Sequence, residues 1–386
     1  AAVTREASRL AHGAQVPLRR ERQRPRRRQA AGGGRPRDLR PAHGAQVPRR
    51  RGRGHARGLR RREALHGGPV ELVQVASGPA LAQAMRTAHL ALPFMERMDP
   101  GLMRAAPELR CILQFGVGLE GVDIDEATRC GIAVSNMPSS ETGNAEATAE
   151  LALFLTIALL RHLSDLPRRF QSSTLGGLPI PRQIRGKRVS VVGFGAIGRA
   201  LCRSLTALGA HVSAVRRSPW TEGPGGGPSE EALQTTHERG LAADLLERFA
   251  PHADVIALAC PLTPETRGLV SAEFLARCKR GVLVVNVGRG PVVDHAAILE
   301  GLESGLVGGF ASDVGVGHPG KAPEPWDPSD ALSRHPQAIF TPHVGGYCDR
   351  SYESMASICV DTIERIRRGE PPLVWVNKEQ MLAVDP

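Results

Sequence analysis

The stretch Lys187-RVSVVGFGAIGRALCRSLTA-Leu208 decides the fold. Arg188 to Val192 is a short β-branched run that ends on Gly193-Phe194-Gly195-Ala196-Ile197-Gly198, and Arg199 to Leu208 then places its apolar residues at helical spacing. The expected unit is strand, tight turn, helix. Gly193 permits the turn, Gly195 lets the backbone come close to a bound group, and Gly198 lets the helix lie against the strand. The helix N-terminus then offers N–H groups and a positive dipole end, a setting that suits a pyrophosphate. A Gly-rich turn without chemistry is the competing reading, and the strand before and helix after weigh against it.

On the C-terminal side the same grammar repeats. Lys187 to Gly193, Ala210 to Arg216, Asp254 to Cys260, Val282 to Val287, Val307 to Val314 and Ala338 to Phe340 are six strand candidates with helical crossovers between them, which predicts a doubly wound parallel sheet. Thr221 to Thr236, rich in Gly, Pro and Ser, is expected to be a surface loop within that sheet. On the N-terminal side, Val70 to Ala76, Ala88 to Leu92, Arg110 to Phe115 and Ile132 to Asn136 read as strands of a smaller domain, and Ala145 to Arg161 as a long, largely buried helix. The fold class is therefore α/β, with two Rossmann-like or flavodoxin-like domains preceded by a basic tail.

That tail sets the composition apart. Residues 1–63 hold 20 arginines and no lysine against four acids, a net +16, so within a chain of net charge +11 the remainder is net −5. The basic pI belongs to the appendage, and a nucleic-acid-binding body is disfavoured. The tail repeats AHGAQVP at Ala11 and Ala42 and has no aromatic residue. It cannot bury enough apolar surface to offset the entropy of ordering, so disorder is expected over residues 1–66. An organelle transit segment, a nonspecific binder of RNA or acidic lipid, and a frame-shifted translation are the three readings of it. The compartment is accordingly cytoplasmic, or chloroplast or mitochondrial if the tail is a transit segment. No apolar run is long enough for a membrane span. Seven cysteines without a C-x-x-C pair argue against a zinc site or a disulfide framework, so no metal is expected.

The second strand of the larger sheet ends Val215-Arg216-Arg217-Ser218, where NAD-binding sheets usually carry an acid for the ribose 2′-OH. Arg216 and Arg217 would instead meet a 2′-phosphate with charge-assisted hydrogen bonds. NADP is thus favoured over NAD as cofactor, the alternative being two solvated surface arginines.

Seven ordered blocks carry a family resemblance: Gln114-FGVGLEGVDID-Glu126, Thr142-GNAEATAE-Leu151, the glycine motif, Cys260-PLTPETRG-Leu269, Val285-NVGRGPVVD-His295, Gly308-GFASDV-Gly315 and Thr341-PHVGG-Tyr347. Together they resemble the D-isomer-specific 2-hydroxyacid dehydrogenases, the group of phosphoglycerate dehydrogenase and glyoxylate/hydroxypyruvate reductase, and are nearest its plant-type members. The resemblance covers about residues 69–386. It implies a catalytic set of three. Arg289 matches the cation that grips the substrate's carboxylate and carbonyl oxygen, and His343 the general acid that protonates the developing alkoxide. The third member is a carboxylate that holds the imidazole. In the family a Glu-Pro pair follows the strand-ending Asp by five residues, but here Asp313 plus five is His318. Glu324 is assigned instead, because Glu324-Pro-Trp-Asp-Pro328 resembles the family's E-P-F-D-P, with about six residues inserted in Val316 to Pro323. The competing assignment puts His318 in the acid's place.

The resemblance further implies that Val117 and Gly118 face the substrate carboxylate. Cys260, Val287, Asp313, Gly345 and Gly346 join Gly193, Gly195, Ala196, Ile197, Gly198, Arg216 and Arg217 around the cofactor, with Cys260 a small apolar spacer. Residues 69–160 and 341–386 are expected to form a discontinuous substrate domain around an NAD(P)-binding domain at 161–340. The family's first strand has no counterpart before Val70, so an exposed sheet edge and a truncated or misassembled N-terminus are expected. The implied function is hydride transfer between NADPH and a small 2-keto acid such as glyoxylate or hydroxypyruvate, by a homodimer. Two readings compete with it: an NAD-dependent phosphoglycerate-type dehydrogenase, and a low-turnover cofactor-sensing binding protein of the corepressor kind.

Overall fold

A computed structural model describes residues 70–75, 78–94, 96–138, 142–172, 180–223, 227–315 and 330–383. The expectations for the arginine-rich tail, His318, Glu324 and the insertion at 316–323 lie outside them.

Two parallel sheets organise the chain. The smaller has the order β1-β2-β3, with β1 at Leu90–Ala91, β2 at Cys111–Leu113 and β3 at Ala133–Ser135. The larger comprises β4 (Arg188–Val192), β5 (His211–Arg216), β6 (Glu238–Leu241), β7 (Val255–Leu258), β8 (Val282–Asn286), β9 (Val307–Ser312) and β10 (Ala338–Phe340), in the order β10-β9-β8-β7-β4-β5-β6. All pairings in both sheets are parallel. Strands β7 and β8 are buried along their whole length, as near-continuous Val, Ile and Leu runs require when helices cover both faces.

One face carries Ile256, Leu258, Phe274, Val284, Ile298, Leu302 and Phe310. The other receives the helix Asn144–Leu160, whose Ala149, Ala152, Leu155 and Leu159 share a core with Val189, Val191, Leu201, Val212 and Leu283. Small residues on that helix let it lie close to the sheet. The smaller sheet has its own core of Met98, Met103, Leu109, Ile112, Ile132 and Val134. The chain's C-terminal part returns to it. Buried Asn377 donates to Thr128 Oγ1 and the Ile132 carbonyl, both at 3.0 Å, and accepts from Val134 N at 2.8 Å.

The six strands expected in the larger sheet are present, and two expectations need correction. Residues 70–75 form no strand, and Val73 is exposed. Alternation of apolar residues makes a strand only where a partner ladder exists, and β1 pairs with β2 alone among the described residues. The supposed loop Thr221 to Thr236 ends in a helix, Glu230–Thr235, capped by Ser229 and carrying Glu230 and Glu231 in its first turn. A seventh strand, β6, follows it. Its sequence Glu-Arg-Gly-Leu hides it, because an edge strand need not be apolar.

The topology positions the site. The chain leaves β4 towards β5 and β6, then crosses back to β7 on the other side of β4, so a crevice opens at the carboxyl ends of β4 and β7. Hydrogen bonds tie the successive strand ends into one row: Ala259 N to Val192 O, Val287 N to Leu258 O, Asp313 N to Asn286 O and Thr341 N to Ser312 O, all 2.8–3.0 Å.

Candidate active site

The glycine turn opens this row. Gly193 has φ +102°, and a Cβ there would stand 2.7 Å from the Ala259 carbonyl oxygen. A Cβ on Gly198 would collide with the Gly193 carbonyl, so the helix Ala196–Ala207 lies against the turn only as glycine. Gly195 is the N-cap of that helix with no side-chain cap and open space at its Cβ position, while Ala196 and Ile197 in the first turn are partly exposed. Such a cradle, open at the helix N-terminus and walled by backbone, fits a dinucleotide's pyrophosphate. Cys260 lies beside it with its thiol pushed up to about 11 by burial, so it is a packing residue and not a nucleophile.

At the end of β5 the Arg216 guanidinium is already engaged. It pairs with Glu222 through Nη1, donates to Ser218 Oγ at 2.7 Å through Nη2, and lies 5.2 Å over the Trp220 ring. Trp220 in turn packs against Phe194 of the glycine turn, with ring centroids 4.9 Å apart. Arg217 is exposed at the same edge. Reading the strand end alone misses Glu222, which sits six residues beyond it.

Asn286, the last residue of β8, is fully buried and was not singled out by the sequence. Its Oδ1 accepts from Gly288 N at 3.0 Å and its Nδ2 donates to Arg289 O at 2.9 Å, which closes residues 286–289 into a tight loop beside buried Val287. Arg289 leaves that loop towards the smaller sheet. Its Nη1 donates to the Gly288 carbonyl at 2.8 Å, and its Nε donates to Glu120 Oε1 at 2.8 Å. A Cβ on Gly118 would collide with Arg289 Nη2 and with the Glu120 carboxylate, so the loop 116–120 and the guanidinium meet at one point. Val117 is exposed there, its carbonyl accepting from Asn136 Nδ2 at 2.7 Å. Burial pulls the Glu120 carboxyl upward, but the Arg289 charge and hydrogen bond, with His343 nearby, hold it below the ordinary glutamate value. Glu120 was also missed, because its partner Arg289 lies 169 residues away in the chain.

Asp313 follows β9 and is 2% exposed. Its Oδ1 accepts from Thr341 Oγ1 at 2.6 Å and Val344 N at 2.9 Å, and its Oδ2 from Gly345 N at 2.8 Å. One carboxylate thus fixes both flanks of His343. Burial raises the Asp313 pKa, and these hydrogen bonds and the His343 charge oppose that rise without cancelling it. His343 itself has φ +54°, a left-handed conformation rare outside glycine, and its N–H turns back to the Thr341 carbonyl at 3.0 Å. Cβ atoms on Gly345 or Gly346 would meet Asp313 Oδ2 or Asn144 Nδ2, so the loop fits against β9 and the helix start only without side chains.

The fold thus brings Arg289 to Val117 and Gly118, sets the loop of His343 and Gly345 on Asp313 and Gly346 against Asn144, and places Cys260 beside Gly193. Chemically, the arrangement offers a cation for a small anion, an imidazole on a pinned loop, and a phosphate cradle in one row. No group of metal-binding side chains occurs among the described residues, and no described helix is long and apolar enough to cross a membrane.

The family model for the NAD binding domain of D-isomer specific 2-hydroxyacid dehydrogenases matches residues 153–345. A glyoxylate reductase of Thermococcus kodakarensis is 31% identical over 294 residues, which is 74% of this chain and 81% of that protein. A D-3-phosphoglycerate dehydrogenase of Mycobacterium leprae is 34% identical over 278 residues, 71% of this chain and 48% of that protein. Among solved structures, the TT0316 protein of Thermus thermophilus superposes with a TM-score of 0.66 at 29% identity, covering 79% of this chain and 92% of that one.

Proposed function

The chain belongs to the D-isomer-specific 2-hydroxyacid dehydrogenases, NAD(P)-dependent enzymes acting on a CH–OH group, and on that premise we propose that it is an NADPH-preferring reductase of small 2-keto acids such as glyoxylate or hydroxypyruvate. The observation that carries this reading is Arg289, clamped by Asn286 and Glu120 so that its guanidinium faces the Val117–Gly118 loop.

A bound nicotinamide dinucleotide supplies the hydride, and Gly193, Gly195 and Gly198 with the helix start at Ala196 and Ile197 would hold its phosphates. Val287, Cys260, Gly345 and Gly346 would line the site that holds it. The protein's own part is electrostatic and acid–base. Arg289 grips the substrate's carboxylate and carbonyl oxygen and stabilises the negative charge that grows on that oxygen. Val117 and Gly118 bring backbone N–H groups to the carboxylate. His343 gives the oxygen its proton, and in the reverse direction takes it back. Asp313 sets the height of His343, while Glu324 is the proposed orienting carboxylate of the imidazole.

Preference for NADPH is supported by Arg216, Arg217 and Ser218 at the end of β5, where the 2′-substituent of the adenosine ribose would lie. Against a phosphorylated substrate stands the neutral pair Gln114-Phe115 immediately before the glycine loop. In this reading residues 69–160 and 341–386 are the substrate domain and 161–340 the cofactor domain. Two copies pair in a homodimer, and the compartment is cytoplasmic, or an organelle if the arginine-rich tail is a transit segment.

The test is turnover of glyoxylate and hydroxypyruvate by the full chain with NADPH and with NADH, beside His343→Ala. Expected are faster oxidation of NADPH and loss of turnover by about two to four orders of magnitude in the variant. Tight dinucleotide binding without turnover of any 2-keto acid would overturn the reductase reading in favour of a cofactor-sensing binding protein.

A further inference from the structure

The indole of Trp220, four residues past the end of β5, is held from three sides. Its Nε1 donates to the Gly240 carbonyl of the edge strand β6 at 3.2 Å, its ring leans on Phe194 with centroids 4.9 Å apart, and its partly buried body packs on the core of Val191, Leu201 and Ala214. The anchor on β6 is itself fixed. A Cβ on Gly240 would stand 2.5 Å from the Phe249 ring, and the next N–H, that of Leu241, is taken by Asp244 Oδ2 at 2.7 Å. Phe194 lies between Gly193 and Gly195, so one indole ties the glycine turn to the end of β5 and to β6.

The guanidinium carbon of Arg216 lies over the same ring, 5.2 Å from its centroid. An arginine at a strand end otherwise keeps all its side-chain torsions, and ordering them costs much of what a phosphate contact returns. A ring face beneath the guanidinium fixes its plane and uses none of its N–H donors, which point outward along the edge. In the folded chain that edge is occupied by Glu222 and Ser218. A phosphate that replaces Glu222 would therefore meet a guanidinium already in place.

We propose that Trp220 is a positioning residue for dinucleotide choice: it holds the Arg216 guanidinium at a fixed place relative to the glycine turn, and so carries part of the discrimination between NADPH and NADH. This rests on the NADPH reading above. NADH brings no 2′-phosphate to Arg216, and its pyrophosphate meets the backbone of the turn, so the ring acts on one dinucleotide and hardly on the other. Loss of the ring face frees the guanidinium, whereas loss of the Nε1 contact alone leaves the face in place against Phe194.

The full chain is titrated with 2′,5′-ADP and with 5′-AMP, which differ only in the 2′-phosphate, and the ratio of the two dissociation constants is read. Wild type should favour 2′,5′-ADP by about tenfold or more. In Trp220→Leu the ratio should fall about three- to tenfold while the affinity for 5′-AMP stays within about twofold, and Trp220→Phe, which keeps a ring face, should retain most of the ratio. In an Arg216→Gln background Trp220→Leu should lower the ratio no further, the non-additivity expected of two groups that act as one. A wild-type preference that survives in Trp220→Leu overturns the positioning role and leaves the NADPH reading standing. A further fall in the Arg216→Gln background overturns it as well, because the ring then acts through something other than Arg216. Absence of any preference in wild type overturns both. The wild-type chain supplies a measurement that does not depend on the folding of Trp220→Leu: 2′,5′-ADP, and not 5′-AMP, should change the tryptophan emission, and the change should be missing in Trp220→Phe. Emission unaltered by saturating 2′,5′-ADP overturns the assignment.

Discussion

Arg289 reaches from the loop after β8 to Glu120, in the loop that follows β2, with 2.8 Å between Nε and Oε1. The pair joins the larger sheet's carboxyl edge to the smaller sheet, and orients the guanidinium by its Nε side. Glu120 is about half exposed, so the contact is screened and contributes little to stability. Glu120→Gln should lower unfolding free energy by less than about 1 kcal/mol at neutral pH. The sign with pH follows from the depressed carboxyl pKa: the contribution is complete above the ordinary glutamate value and disappears as pH falls through the lower folded one. Denaturant midpoints of the two proteins should therefore differ slightly at neutral pH and converge in acid. A gap that widens in acid would show that Glu120 is not held ionised by Arg289.

Asp313 has the larger structural duty. It accepts three hydrogen bonds from Thr341, Val344 and Gly345, the residues on either side of His343, while almost completely buried. In Asp313→Asn an amide NH2 replaces one oxygen and faces a backbone N–H that has lost its acceptor, which costs about 1–3 kcal/mol. A displacement of the imidazole by about 1 Å would cost on the order of a hundredfold in turnover. Chemical denaturation and steady-state rates on glyoxylate measure the two effects. A stable variant with full kcat would refute the pinning role.

Gly193 gives the sharpest steric test. At φ +102° an L side chain is strained whatever space it has, and here its Cβ would also sit 2.7 Å from the Ala259 backbone oxygen. Gly193→Ala should lose about 1–3 kcal/mol of stability from strain alone, and dinucleotide affinity with it, because the turn must shift away from β7. Thermal unfolding with and without NADPH separates the two losses. An alanine variant with native stability and affinity would mean that this turn is not the constrained one.

The parts of this protein that were legible in the sequence are those where backbone geometry restricts residue type. Strand β4, its glycine turn and the following helix read directly, because close approach at Gly193 and Gly198 admits nothing larger. Strands β7 to β9 read as runs because both faces are covered. Legibility failed where a residue acts through a long-range partner. Asn286 looks like one more polar residue until its amide is seen to close the Arg289 loop, and Glu120 acquires meaning only from a guanidinium 169 residues away. Strand β6 was invisible because an edge tolerates Glu and Arg, and Val70 to Val75 misled because its alternation has no ladder to join.

On the proposed NADPH reading, dinucleotide choice turns on the competition for Arg216. In the folded chain its guanidinium is shared between Glu222 and Ser218 and stacked on Trp220, which leans on Phe194 in the phosphate turn. An incoming 2′-phosphate must take Arg216 from Glu222. The Glu222 side chain is 45% exposed, and so open a pair is weakened by solvent, whereas a phosphate dianion offers charge-assisted and bidentate acceptance. The phosphate should win, with Glu222 as a tax on NADPH and not on NADH. Glu222→Gln should then lower KM for NADPH by about three- to tenfold at most and leave NADH nearly unchanged. Arg216→Gln should raise KM for NADPH by about tenfold or more, on the order of one charge-assisted pair. Equal KM values for the two cofactors in wild type and both variants would place the 2′-position away from Arg216, and would return the selectivity of this chain to NAD.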